Sequence, residues 1–266
     1  MSLVSLSRIC ANGLRKKIER NFWIMANVSE HYENLLAKYY SWISGGADAK
    51  IEENQKFFID HGIHPVRSGL AFDLGAGCGF QSISLANLGF QVTAIDLSSK
   101  LLAELKEAAA QFQIEAVCDD LLNFTDYVRG SIELIVCMGD TLTHLESLQK
   151  VQELFDKIYS AVEADGRLVL SFRNLTVELT ELDRFIPVQS NAHTIFTCFL
   201  EYEEDTVKVH DIIYEKKDNQ WVLKKSFFKK LRISPDWTRN YLQSIGFTIE
   251  FDNEENGMNF IIARKA

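Results

Sequence analysis

The chain has 266 residues, 47% hydrophobic and 24% charged, with three prolines; this is the balance of a soluble globular protein and excludes long disordered linkers. A net charge of -9 lacks the basic footprint that supplies most nucleic-acid affinity, and no apolar run approaches the ~20 residues of a membrane span. The five cysteines, Cys10, Cys78, Cys118, Cys137 and Cys198, form no CxxC pair, which predicts reduced thiols in a cytoplasmic protein and no metal site.

Residues 1 to about 27 differ in character from the rest of the chain. Arg8, Arg15, Lys16, Lys17 and Arg20 flank no compact apolar stretch, so the segment does not read as a signal peptide. It is either an extension ahead of a start at Met25 or an amphipathic helix packed on the domain. From about 29 to 62 the pattern is helical: Leu35, Leu36, Tyr39, Tyr40 and Trp42-Ile43 recur at spacings of three and four. Gly45-Gly46 breaks the run, and a second helix is expected from Asp48 to His61.

Strands and helices then alternate. Leu70 to Leu74 is a short apolar strand ending at glycines, and Phe80 to Leu88 a helix. Gln91 to Ile95 is a β-branched strand closed by Asp96, and Ser98-Ser99 caps a helix through Ala109. Ile114 to Cys118, Ile132 to Cys137 and Arg167 to Phe172 are further strands. Leu145 to Val162 is a helix with Leu148, Val151, Leu154, Phe155 and Ile158 on one face. This rhythm predicts an α/β, doubly wound, mostly parallel sheet with helices on both faces. Thr194 to Tyr202, Val207 to Tyr214 and Trp221 to Leu231 come next with no helix between them, which predicts an antiparallel β insertion of three strands. A helix from Pro235 to Ile245 and strands Phe247 to Phe251 and Asn259 to Ala263 return to the core.

The turn after the first strand reads Asp73-Leu74-Gly75-Ala76-Gly77-Cys78-Gly79. Alternate glycines let a ligand approach the main chain closely, and free N–H groups at the following helix start favour oxygen-rich ligands. The ligand therefore lies across the carboxyl ends of the strands. Dinucleotide sites favour G-x-G-x-x-G; the spacing here is Gly75-x-Gly77-x-Gly79, and acids end the next two strands: Asp96, then Asp119-Asp120.

This set resembles motif I and the following strand ends of the class I S-adenosylmethionine-dependent methyltransferases, over about residues 69 to 176. The resemblance implies a Rossmann-like seven-stranded sheet, with S-adenosylmethionine as the cofactor. It implies that Asp73 helps hold the amino-acid end, that Asp96 accepts the ribose hydroxyls, and that Asp119 or Asp120, with Asp120 favoured by its sequel Leu121-Leu122-Asn123-Phe124, accepts from the adenine amino group. The implied cofactor set also includes Gly75, Ala76, Gly77, Gly79, Leu97, Leu121 and Met138, and Tyr32 and Tyr40 if the N-terminal aromatics form a lid.

Two further segments, Met138-Gly139-Asp140-Thr141-Leu142-Thr143-His144-Leu145 and Phe172-Arg173-Asn174-Leu175, look like those of glycine and sarcosine N-methyltransferases. The resemblance implies that Arg173 grips a substrate carboxylate. Asp140 stands where those enzymes have Asn; an acid repels a carboxylate and attracts an amine, which turns the expectation from glycine to amines or larger polar metabolites. His144 is either a general base or a side chain packed under the cofactor.

The expected organisation is a helical extension or lid at 1–66, a cofactor core at 67–187, the β insertion as substrate cover at 188–233, and the returning helix and last two strands at 234–266. The expected function is methyl transfer to a small molecule at an amine, by direct in-line transfer, with no nucleic acid or membrane partner, in a monomer or homodimer. The alternatives are a methyltransferase of a protein or other macromolecule, and a protein that binds S-adenosylmethionine without catalysis.

Overall fold

The computed structural model describes residues 28–266; the expectations for residues 1 to about 27 lie outside the described residues. Chain entry is a broken helical strap. It comprises α1 (Val28–His31), a π-helical turn (Tyr32–Leu36), a 3-10 turn (Ala37–Tyr39) and α2 (Tyr40–Ile43). Gly45 and Gly46, both at positive φ, separate it from α3 (Ala47–Asp60). The π turn is the departure from the single regular helix that the spacing predicts. Such turns carry a widened backbone ring and cluster at functional sites.

The core alternates as expected: β1 (Leu70–Leu74), α4 (Phe80–Asn87), β2 (Gln91–Asp96), α5 (Ser99–Ala108), β3 (Ile114–Cys118), β4 (Ile132–Cys137), α6 (Leu148–Ala161) and β5 (Val162–Arg173). After the insertion come α7 (Pro235–Ser244), β10 (Phe247–Glu255) and β11 (Met258–Lys265). The seven strands run in the order β10-β11-β5-β4-β1-β2-β3. The β1–β5 pairings are parallel and β11 is antiparallel to both neighbours. Strand alternation sorts the core onto two faces. Phe72 and Leu74 meet Val151, Leu154, Phe155 and Ile158 of α6, while Ala71 meets Phe58 of α3 and Leu85 of α4. Each of the large side chains buried here contributes roughly 1.5–3 kcal/mol. The entry to β1 is fixed by Glu133, whose buried carboxylate accepts from the N–H groups of Val66, Arg67 and Gly69 at 2.7–3.1 Å.

The insertion is a four-stranded antiparallel sheet, β6 (Phe185–Ser190), β7 (Thr194–Tyr202), β8 (Thr206–Lys217) and β9 (Gln220–Leu231). This corrects the expected three strands, and the boundary at 188 falls inside β6. The additional strand contains Pro187 and an irregularity between Pro187 and Gln189. Both obscure the alternating signal, and both are tolerated because β6 is an edge strand. The sheet packs on the strap through Phe196 and Ile213 against Leu36 and Tyr39. Among the described residues no helix is long and apolar enough to cross a membrane.

Candidate active site

The glycine turn is pinned before it meets any ligand. Gly75 N–H and Ala76 N–H both donate to the Ile95 carbonyl, at 2.8 and 3.0 Å. Gly75 has φ +78°, and a Cβ there would sit 2.2 Å from Thr141 Cγ2; no other residue type fits without moving the β4 loop. Asp96 ties the turn to the next loop. One carboxylate oxygen accepts from Gly77 N–H at 2.8 Å and the other from Ser98 N–H at 2.7 Å. Burial pushes its carboxyl up, opposed by these two N–H groups. Asp73 lies behind the turn, 1% exposed, accepting from Ser82 Oγ at 2.6 Å. Burial raises its pKa to about 7.

The turn opens on a cavity of about 630 Å³, within the range of small-molecule sites. Of the sequence-predicted residues, Tyr32, Tyr40, Gly75, Gly77, Asp96, Leu97, Asp119, Asp120, Leu121 and His144 line it. Asp73, Ala76, Gly79, Met138, Asp140 and Arg173 do not line it. Ala76 and Met138 are each 4% exposed, and at Gly79 a Cβ would sit 2.1 Å from Leu105 Cδ1. Asp73, Ala76, Gly79, Met138 and Asp140 are buried, whereas the Arg173 side chain is half-exposed. At the end of β3 the two acids differ. Asp119 accepts from Asp120 N–H, Asn123 Nδ2 and Tyr127 OH, at 2.7, 2.9 and 2.7 Å. Asp120 caps the following 3-10 turn (Leu121–Tyr127) through one oxygen, 2.9 Å from Leu122 N.

The expectation that Asp140 faces an amine is not met. Asp140 is 2% exposed, at φ 76°, just after Gly139. Its carboxylate takes Arg173 N–H, Arg173 Nη1 and Lys230 Nζ, each at 2.7 Å. Burial pushes the carboxyl up, but the Lys230 ammonium and Arg173 guanidinium outweigh it and hold it well below the usual range. The same contact engages the Arg173 guanidinium, the group expected to grip a substrate carboxylate. Sequence reasoning misses Lys230, because the ion pair spans 90 residues and nothing local in β9 marks it.

His144 ends the 3-10 turn Thr141–His144 and reaches the cavity wall. Its Nε2 lies 3.4 Å from Tyr32 OH. Phe228, also on the wall, packs against both rings, with centroids 5.5 Å from His144 and 6.3 Å from Tyr32. Burial, then the nearby Lys230 charge, lowers the imidazole pKa to about 3, so His144 is neutral at physiological pH. Tyr40 stacks on Phe80 at 6.0 Å and roofs Gly77. The strap and β9 therefore supply the aromatic wall, and the core supplies the glycine turn and the acids. Phe228 escapes sequence reasoning because a phenylalanine in a strand reads as core.

The chain is similar to known methyltransferases. Residues 71–166 match the family model of a methyltransferase domain. The chain is 27% identical over 234 residues to a glycine/sarcosine N-methyltransferase of Aphanothece halophytica, covering 82% of each protein. It is 26% identical over 246 residues to a mitochondrial ubiquinone biosynthesis O-methyltransferase of Schizosaccharomyces pombe, covering 83% of this chain and 87% of that protein. Its fold is that of an S-adenosylmethionine-dependent methyltransferase from Clostridium acetobutylicum, with a TM-score of 0.69 at 13% identity, over 88% of this chain and 99% of the other.

Proposed function

We propose that this chain, a class I S-adenosylmethionine-dependent methyltransferase of small molecules, methylates an amine by direct in-line transfer. The observation that carries the reading is the Tyr32–His144 pair, which packs on Phe228 and lies on the same cavity as Gly77 and Asp96.

The residues fit the cofactor. Asp96 offers carboxylate oxygens to ribose hydroxyls, Asp120 has an oxygen to spare for an amino group, and Gly75 and Gly77 present bare backbone. Tyr32 and Tyr40 offer ring faces to a cation. Bound there, S-adenosylmethionine supplies an electrophilic methyl group on a sulfonium.

The protein's part is alignment and exclusion of water. Beside the packed rings of Tyr32, His144 and Phe228, desolvation disfavours an ammonium and lowers an amine's pKa, so the acceptor meets the methyl group with its lone pair free. An amine N–H can donate to His144 Nε2 or to the Tyr32 oxygen, which orients that lone pair. A neutral amine needs no proton removed before it attacks. A hydroxyl acceptor calls for a base matched to its task, and an imidazole with a pKa of about 3 is poorly suited to be one. Asp140 and Arg173 then act from behind the wall, fixing the tips of β4 and β5.

The test is transfer of labelled methyl to a panel of primary and secondary amines, amino acids and phenols. The reading expects N-methylated products and, in His144→Ala, roughly a tenfold loss of kcat/KM, the worth of one oriented hydrogen bond. Transfer confined to phenols contradicts it.

A further inference from the structure

Along the inner face of β8, Val207, Val209, Asp211 and Ile213 alternate inward, and all four are buried. Three are aliphatic and one is an acid. A carboxylate in such a stripe is costly unless it is paired. Asp211, 2% exposed, has its partner 180 residues away: His31 Nε2 donates to Oδ2 at 2.7 Å. The Cys198 thiol donates to the other oxygen at 3.0 Å. His31 is itself 1% exposed, and its ring lies 4.5 Å from that of Phe228.

His31 immediately precedes Tyr32 and the π-helical turn. The strap lays Val28, Ser29, Tyr32 and Tyr40 on the cavity wall, so a molecule held against the glycine turn is covered on that side by the strap. On the core side the strap is tied by Glu33, which accepts from Ser98 Oγ and Lys100 N–H at the surface. On the insertion side it is tied by the buried His31–Asp211 pair. At its far end Gly45 and Gly46 have positive φ, and a Cβ at either would meet nothing within 4 Å, so the backbone there can turn without a clash.

We infer that His31 and Asp211 are positioning residues that latch the strap to the four-stranded sheet, hold Tyr32 in the cavity wall, and thereby set how fast the cofactor product leaves. The latch ties turnover to the insertion: product exit requires the buried His31–Asp211 hydrogen bond to open. This rests on the cavity being the cofactor site, and touches neither the ribose nor the adenine contacts.

The experiment measures the dissociation rate of S-adenosylhomocysteine by rapid displacement, together with thermal stability, in wild type, Asp211→Leu, His31→Phe, His31→Gln, Tyr32→Ala and the double variant Tyr32→Ala/Asp211→Leu. Asp211→Leu removes the acceptor, His31→Phe keeps a ring without the donor, and His31→Gln keeps an N–H donor. The latch predicts release about tenfold faster in Asp211→Leu and His31→Phe, and within about threefold of wild type in His31→Gln. In the Tyr32→Ala background, Asp211→Leu adds less than about twofold, because the group it positions is gone. Independent, multiplicative effects of the two substitutions overturn the latch, as does a lower melting temperature with an unchanged release rate. Failure of wild type to bind S-adenosylhomocysteine overturns the cofactor reading beneath it, which is a separate outcome.

Discussion

The two sheets meet at one cavity and build their halves of it differently. The seven-stranded sheet uses backbone and short-range contacts: Gly77 N–H and the Asp96 carboxylate that receives it are 19 residues apart. The four-stranded sheet uses side-chain pairs across the whole chain, Lys230 to Asp140 over 90 residues and Asp211 to His31 over 180. A backbone cradle tolerates little change. A wall held by side-chain pairs and aromatic rings can change its contents while the cradle stays the same. This is the physical sense in which one fold serves many acceptors.

That contrast can be broken at either side, beginning with the larger effect. Gly75→Ala places a Cβ 2.2 Å from Thr141 Cγ2 and 2.8 Å from Thr141 Cβ, at φ +78°. It should cost about 3 kcal/mol from overpacking and backbone strain, read as a fall of roughly 6–12 °C in melting temperature. Gly77→Ala, whose Cβ would meet Tyr40 Cε1 at 3.6 Å, should cost about 1 kcal/mol. Equal costs at the two positions would mean that the turn is not pinned as described.

On the acceptor side, Asp140→Ala leaves Lys230, 13% exposed, facing Arg173 without its counter-charge. Because the Arg173 side chain is 54% exposed, the loss should fall below the full value for a buried pair, at about 2 kcal/mol. Denaturant unfolding at neutral pH measures it. Asp140→Asn keeps an acceptor for the Arg173 N–H and should lose less. The sign of its pH dependence is fixed. Asp140 titrates below its unfolded value, so its contribution is complete above a pH of about 4 and is lost as the pH falls further. The stability gap between wild type and Asp140→Asn should be level from about pH 5 to 8 and close in acid. A gap that widened in acid would contradict the pairing.

The same contrast explains what is legible in the sequence. The core strands and the acids at their ends follow local rules of alternation, capping and glycine spacing, and they stand where the sequence puts them. Asp140 shows the limit: its residue type is informative, but its partner Lys230 arrives from β9, so a charge that reads as free in the sequence is neutralised in the fold. Strand β6 shows another, since Pro187 is allowed only by an edge position that the sequence does not state. Phe228 and Asp211 sit in strands with ordinary patterns, and only the packing of the strap against them gives them a role.

The division of labour is tested most directly by S-adenosylhomocysteine calorimetry beside methyl-transfer assays, on wild type, Asp96→Ala and Phe228→Leu. Asp96 accepts two backbone N–H bonds and offers the only acid of β2 to the ligand, so its loss should weaken binding by about 3 kcal/mol, roughly a hundredfold or more. Phe228→Leu should leave that affinity within about threefold and cut transfer by more than about tenfold. Binding of NAD in place of S-adenosylhomocysteine, or an equal loss of S-adenosylhomocysteine affinity in both variants, would contradict the account.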